Sequence, residues 1–253
     1  MIPLRDNIPS RTFPLVNYVV IGICSLAFFA QLTQPQKGRI AEAYGMIPAR
    51  VSGDDRPIVV PQRTLVRTPR GIQVREQPRV LAPAATAPIL TFITCMFLHG
   101  GWMHFLGNMW FLYIFGDNVE DRLGHFGYIL LYLATGVLAG LSHYVVDPSS
   151  PIPTIGASGA IAGVMGAYAW FYPHAKVQAL LPIIIIFTTF VLPAPIFLGI
   201  WFLIQTFGGV QSLGGETTVA WWAHIGGFVA GAAAAYTIGR TPLDHGEVHT
   251  RRF

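Results

Sequence analysis

The sequence predicts an all-α membrane protein that crosses the bilayer six times. Three observations carry this. Of its 253 residues, 53% are hydrophobic and only 11% are charged, whereas soluble domains carry about 25% charged residues. Apolar runs near the length that a hydrocarbon core demands recur along the chain, separated by polar or proline-bearing breaks. Lys and Arg near the helix ends gather on one side.

After a short polar leader, Val16 to Leu32 forms the first apolar helix, at the lower limit for a span. Arg5 and Arg11 precede it and no clear small-residue cleavage site follows, so it is expected to stay as a helix and not be removed as a signal peptide. Lys37 to Thr91 then brings prolines, nine Lys or Arg and short alternating segments. This reads as a long surface loop with a small hairpin around Pro69-Arg70-Gly71. The second helix runs from about Trp102 to Gly116, with Asp117, Glu120, Asp121 and Arg122 at its exit, and the third spans Phe126 to Val146. A proline-rich loop, Asp147 to Pro153, gives way to a fourth helix that begins at Ser158 and ends before Pro173-His174. Val177 to Leu192, with its Ile183 to Ile186 run, is expected to lie at the membrane interface, followed by a crossing from Ala194 to Gly208. The last helix runs from Ala220 to about Gly239. The organisation is one membrane domain, 1–240, holding an external loop at 34–91, and a polar tail, 241–253.

Orientation follows from the short loops. One side holds Arg5, Arg11, Arg122, Lys176, Arg240, Arg251 and Arg252, while Asp147 to Ala157 and Gly209 to Val219 on the other hold no Lys or Arg. Both termini are expected to be cytoplasmic, in a multi-pass protein of a prokaryotic cell membrane. The arginine-rich first loop would then lie outside, its length close to the limit beyond which the rule weakens.

Composition also excludes. The net charge of +4 comes from arginines scattered without a groove- or base-reading motif, so nucleic acid is not an expected partner and the lipid bilayer is. Cys24 and Cys95 make neither a disulfide framework nor a metal cluster and read as packing residues. His99 and His104 lie five apart with no glutamate between them, unlike a metalloprotease zinc pair, so neither a metal nor a cofactor is expected. His125, His143, His174, His245 and His249 fall at helix ends, in a loop or in the tail, and receive no chemistry.

With six crossings and the amino terminus inside, helices two, four and six begin on the outer side. Their polar residues sit at those beginnings: His104 and Asn108 on helix two, Ser158 on helix four and His224 on helix six. Intramembrane polar side chains are costly without partners, so their convergence at one depth points to a site. Ser158, inside Gly156-Ala157-Ser158-Gly159-Ala160, stands at a helix start, where unpaired N–H groups receive negative charge. It would attack a carbonyl after His224 takes its proton. Asn108 and His104, i and i+4 on one face, would join the Ser158 N–H in holding the oxyanion. No carboxylate lies near His224 on these helices, so the expectation is a dyad.

Packing and depth agree. Ser158 shares a face with Ala162 and Gly166, and His224 with Gly227 and Gly231, rows that permit close helix approach. Such rows are also ordinary packing devices, and alone they assign no chemistry. Ser158 to Tyr172 rises only about 22 Å, less than the ~30 Å hydrocarbon core. The serine is therefore expected below the outer surface, in a water-filled recess that irregular backbone can line.

These residues together resemble the rhomboid family of intramembrane serine proteases. The matching stretches are His99-Gly100-Gly101-Trp102-Met103-His104-Phe105-Leu106-Gly107-Asn108, Glu120-Asp121-Arg122-Leu123-Gly124, Gly156 to Ala160, and Ala223-His224-Ile225-Gly226-Gly227. The resemblance covers roughly Phe13 to Gly239 without the long first loop. It implies a six-helix rhomboid-like bundle, a Ser158–His224 dyad, oxyanion donors from His104 and Asn108, and cleavage of transmembrane substrates near helix-disrupting, small-residue sites. It also implies that His99 is structural and that Glu120 and Arg122 tie down a loop. Two positions depart from patterns within the family: Ala162 stands where many members have an aromatic residue that stacks on the imidazole, and Leu90-Thr91 where some bacterial members have a Trp-Arg pair. The alternative is a rhomboid-like binder that grips client helices without cutting them. A transporter is disfavoured, because the polar groups gather toward one end and no internal repeat is evident. The oligomeric state is not legible.

Overall fold

A computed structural model describes residues 1–34, 37–53, 56–68, 71–183, 186–212 and 219–239. The expected tail at 241–253, Arg240 and the hairpin tip Pro69-Arg70 lie outside the described residues. In chain order the elements are β1 (Ile2–Asp6), α1 (Leu15–Thr33), α2 (Lys37–Tyr44), α3 (Pro48–Val51), β2 (Val59–Thr68), β3 (Gly71–Val80), α4 (Thr91–Thr94), α5 (Trp102–Val146), α6 (Ser158–Phe171), β4 (Lys176–Ile183), β5 (Ile186–Pro193), α7 (Ala194–Ser212) and α8 (Trp221–Ile238). The chain is mostly helical, but the expectation of an all-α fold is corrected by two small sheets.

Among the described residues α1, α5 and α7 are long and apolar enough to cross a membrane. The 45 residues of α5 would rise about 68 Å as one rod, more than twice a hydrocarbon core. They do not form one rod, because Gly124 at φ 70° and ψ 167° breaks the helix, a left-handed φ that glycine adopts without a Cβ penalty. The two halves fold back on each other. A Cβ on Gly116 would lie 2.7 Å from Tyr128 Oη, and one on Gly136 would meet Met96, which precedes the first half. Outward positions such as Leu26 and Phe207, 74% and 66% exposed, are apolar, as a helix surface in lipid requires.

α6 is the buried centre of the bundle; its residues Gly159 to Tyr168 are all buried. Its neighbours reach it through glycines. A Cβ on Gly227 or Gly231 of α8 would lie 2.0 or 1.8 Å from the carbonyl oxygens of Gly159 and Gly163, and one on Gly163 would strike Thr135 of α5. The row on α8 is the expected one. On α6 Gly166 of the expected face does meet the Phe228 carbonyl of α8, but the residues opposite Gly227 and Gly231 are Gly159 and Gly163, one position along from Ser158 and Ala162.

The 34–91 segment is not a structureless loop. Besides α2 and α3 it carries the β2–β3 hairpin, paired from Val59↔Val80 to Thr68↔Gly71. The Glu42 carboxylate, on α2, accepts from the Arg79 guanidinium at 2.5 Å and from the Ala82 N–H at 2.7 Å. Arg50 donates to the Glu42 and Ala82 carbonyls. The segment's inner edge reaches the core, because Met46 and Thr154 exchange backbone hydrogen bonds of 3.1 and 2.8 Å.

In the 177–192 stretch expected at the interface, the described residues form two antiparallel strands. β4 pairs with β5 from Lys176↔Pro193 to Ile183↔Ile186 and also takes β1 of the leader as an antiparallel partner, giving the order β1-β4-β5. This sheet lies at the end of the bundle opposite Ser158, where Asn7 and Lys176 bond reciprocally and Tyr172 Oη donates to the Asn118 carbonyl at 2.7 Å. The same end is tied by carboxylates. Glu120, 1% exposed, accepts the Val16 and Asn17 N–H groups, each at 2.8 Å, and meets His125 Nδ1 at 2.5 Å. It thereby caps the first turn of α1. Asp121 accepts from Arg11 and Thr12, and Arg122 donates to the Gly239 carbonyl at 3.2 Å.

Burial pushes the Glu42 carboxyl toward a higher pKa, but the Arg79 hydrogen bond and the Ala82 N–H outweigh it and hold the value below the ordinary one. A depressed carboxylate contributes stability above its unfolded pKa and loses it as pH falls through the folded value. Glu42→Gln is therefore expected to remove about 1–2 kcal/mol at pH 7. The loss should read out as faster limited proteolysis of the hairpin, and the difference from the unsubstituted protein should shrink below about pH 4. An equal difference at both pH values would refute the assignment.

Candidate active site

The four residues expected to converge stand at one end of the bundle on three helices. Ser158 opens α6, and Ala157 at the N-cap carries no side chain able to accept the first-turn N–H groups. His224 lies one turn into α8, and its Nε2 sits 2.7 Å from Ser158 Oγ. This contact follows from the glycine approach below it: Gly227 rests on the Gly159 carbonyl, so the first turns of α6 and α8 are held close enough for two short side chains to meet.

His104 and Asn108 approach the same point from the first half of α5. The backbone of Gly156 runs between them and the serine at φ +127°. A Cβ there would lie 2.6 Å from His104 Nε2 and 3.6 Å from Asn108 Nδ2. Glycine is required here on two counts, left-handed backbone and direct contact with the imidazole. The Gly156 N–H donates to the Cys95 carbonyl at 2.9 Å. With the Met46–Thr154 bridge, this bolts the loop ahead of Ser158 at two points.

Hydrogen bonding fixes which atoms face the site. The Gly100 N–H donates to His104 Nδ1 at 3.3 Å, which leaves the proton of neutral His104 on Nε2, the atom beside Gly156. Asn108 is buried, 8% exposed, and its Nδ2 has no hydrogen-bond partner among the described residues. A buried amide donor without an acceptor is costly. Both donors lie against the Gly156 backbone, two residues ahead of Ser158.

His99 is brought close but not in. Its backbone N–H and carbonyl pair with the Gln31 side-chain amide at 3.0 and 3.2 Å, and its ring packs edge-on against Phe28, Phe105 and His104. It holds the start of α5 in place. Cys24 and Cys95 are buried and free. Among the described residues no group of His, Cys, Asp or Glu could hold a metal.

One neighbour of the site escaped the sequence reading. Gln205 of α7, 7% exposed, places Oε1 2.7 Å from His224 Nδ1. Trp201, one turn earlier, flanks the imidazole at a tilt of 38° with ring centroids 6.0 Å apart, and Trp221 meets it edge-on at 6.3 Å. Ala162 contributes no ring beside them. The signal available was a single glutamine in an otherwise apolar run, which names no partner.

A family model described as "Rhomboid domain" matches residues 87–241, more than half of the chain. Rhomboid-like protein 11, chloroplastic, of Arabidopsis thaliana is 47% identical over 73 residues, 29% of this chain and 26% of its own. The putative rhomboid protease YdcA of Bacillus subtilis is 36% identical over 76 residues, 30% of this chain and 38% of its own. Rhomboid protease GluP of the same organism is 32% identical over 141 residues, 56% of this chain and 25% of its own. The chain thus spans well under half the length of these relatives.

Gly156→Ala should cost on the order of 2 kcal/mol, the strain of a side chain at positive φ, and displace His104. Gly100→Ala, whose Cβ would sit 3.6 Å from His104 Nδ1, should be nearly neutral. Comparative unfolding in detergent tests the pair; equal stabilities would contradict the packing described.

Proposed function

The chain belongs to the rhomboid family, and from that membership we propose that it is an intramembrane serine endopeptidase acting through a Ser158–His224 dyad. The single observation that supports this most is the 2.7 Å approach of His224 Nε2 to Ser158 Oγ, since that is the hydrogen bond a nucleophile and its base require. The fold is read as six crossings within one membrane domain, 1–240, with a cytoplasmic tail at 241–253. The recess opens on the external side of a prokaryotic cell membrane, and both termini lie in the cytoplasm. Arg5, Arg11, Arg122 and Lys176 fall at the end away from Ser158, in keeping with that orientation.

In the reaction so conceived, Ser158 Oγ attacks the scissile carbonyl carbon while its proton passes to His224 Nε2. The carbonyl oxygen becomes an oxyanion, held by Asn108 Nδ2, His104 Nε2–H and the Ser158 N–H. Collapse expels the amine, which takes the proton from His224 and leaves an ester on Ser158. A water then gives its proton to His224, attacks the ester and restores the serine. Substrates are transmembrane segments of other proteins, cut near helix-disrupting, small-residue positions, where the backbone is open enough to enter the site.

Ser158→Ala is expected to abolish cleavage of a single-span substrate in liposomes without lowering the melting temperature. Asn108→Ala should lower kcat about 10²- to 10³-fold. Cleavage that persists in the pure Ser158→Ala protein would refute the nucleophile. A wild-type protein that binds the span tightly but never cuts it would identify a non-cleaving binder instead.

A further inference from the structure

We infer that Gln205 is a positioning residue for His224, the neutral counterpart of the carboxylate that orients histidine in a serine triad; this rests on the dyad reading above. α7 is apolar along nearly its whole length, and an amide buried within such a helix is unfavourable without a partner. Gln205 Oε1 finds one at 2.7 Å in His224 Nδ1.

The direction of that bond determines the chemistry. An amide oxygen only accepts, so Nδ1 carries the proton. A neutral imidazole has one proton, which leaves the Nε2 lone pair facing Ser158 Oγ, the tautomer able to take the serine proton. With Oε1 toward the ring, the opposite tautomer would set two lone pairs, Oε1 and Nδ1, against each other. Gln205 thereby selects the productive form and fixes the ring plane between α7 and α8. Trp201, one turn before Gln205, flanks the same ring. As His224 becomes an imidazolium, the Nδ1–H bond strengthens to a charge-assisted one. The amide achieves this without placing a second charge in a low-dielectric interior, where a carboxylate would be costly.

The test uses the full-length protein in liposomes with a cleavable single-span peptide, and two substitutions. Gln205→Met keeps length and apolar volume but removes the acceptor; Gln205→Glu keeps an acceptor oxygen. Gln205→Met should lower kcat roughly 10- to 100-fold with KM and melting temperature unchanged, while Gln205→Glu retains activity within tenfold. In protein with 15N-labelled histidine, the His224 signals, identified by their loss in His224→Ala, should report a protonated Nδ1 in the wild type and mixed tautomers in Gln205→Met. Wild-type kcat and an unchanged tautomer in Gln205→Met would overturn the inference. So would equal losses in both variants with a parallel fall in melting temperature, which marks packing alone. The tautomer spectrum does not depend on turnover, so a wild-type protein that fails to cleave would remove the protease reading while still deciding the role of Gln205.

Discussion

The close approach of α6 and α8 is the constraint on which the rest of this structure depends. Gly227 and Gly231 lie against the carbonyl oxygens of Gly159 and Gly163 so tightly that no side chain fits between them. In lipid, helices gain nothing from burying one apolar surface against another that lipid would cover equally well. Association instead depends on close van der Waals contact, which small residues allow. One turn above this contact, the same spacing brings a serine and a histidine within hydrogen-bond distance. The packing device and the proposed chemistry are successive turns of the same two helices.

Around that pair, the bundle is organised so that opposite ends perform different work. The end holding Gly124, Glu120, Asp121 and the β1-β4-β5 sheet ties helices together with carboxylates and strand pairing. The other end leaves donors unpaired. Asn108 Nδ2 has no partner among the described residues, and it and the Nε2 of His104 lie against the glycine backbone at 156. A buried amide donor left without an acceptor beside Ser158 is where an oxyanion of the proposed reaction would be held. The 34–91 segment belongs to this second end, since Met46 holds the Thr154 backbone two residues ahead of Gly156.

Much of this was legible in the sequence, for reasons that differ by residue. Ser158, His224, His104 and Asn108 could be grouped because polar residues in apolar helices are expensive and their helix-start positions gave them one depth. The α1 and α6 boundaries followed from apolar length and from the prolines beyond. The β4–β5 pair was not legible as strands: a short apolar run with Ile183 to Ile186 suits an interfacial helix or a buried strand equally, and periodicity does not separate them. Within 34–91 the antiparallel pair that ends at Thr68↔Gly71 was legible from its turn residues, but its anchor was not, because that joins Glu42 to Arg79, 37 positions apart. Gln205 was missed for a similar reason. Its partner lies on the next helix, across a loop, and one amide in an apolar run announces nothing until that helix is placed beside it.

The central claim is that His224 activates Ser158, and covalent labelling tests it most directly. Intact-protein and peptide mass spectrometry after exposure to a fluorophosphonate in liposomes should locate a single adduct on Ser158 in the wild-type protein and none in His224→Ala. Equal labelling of Ser158 in His224→Ala, or an adduct elsewhere with Ser158 untouched, would contradict it.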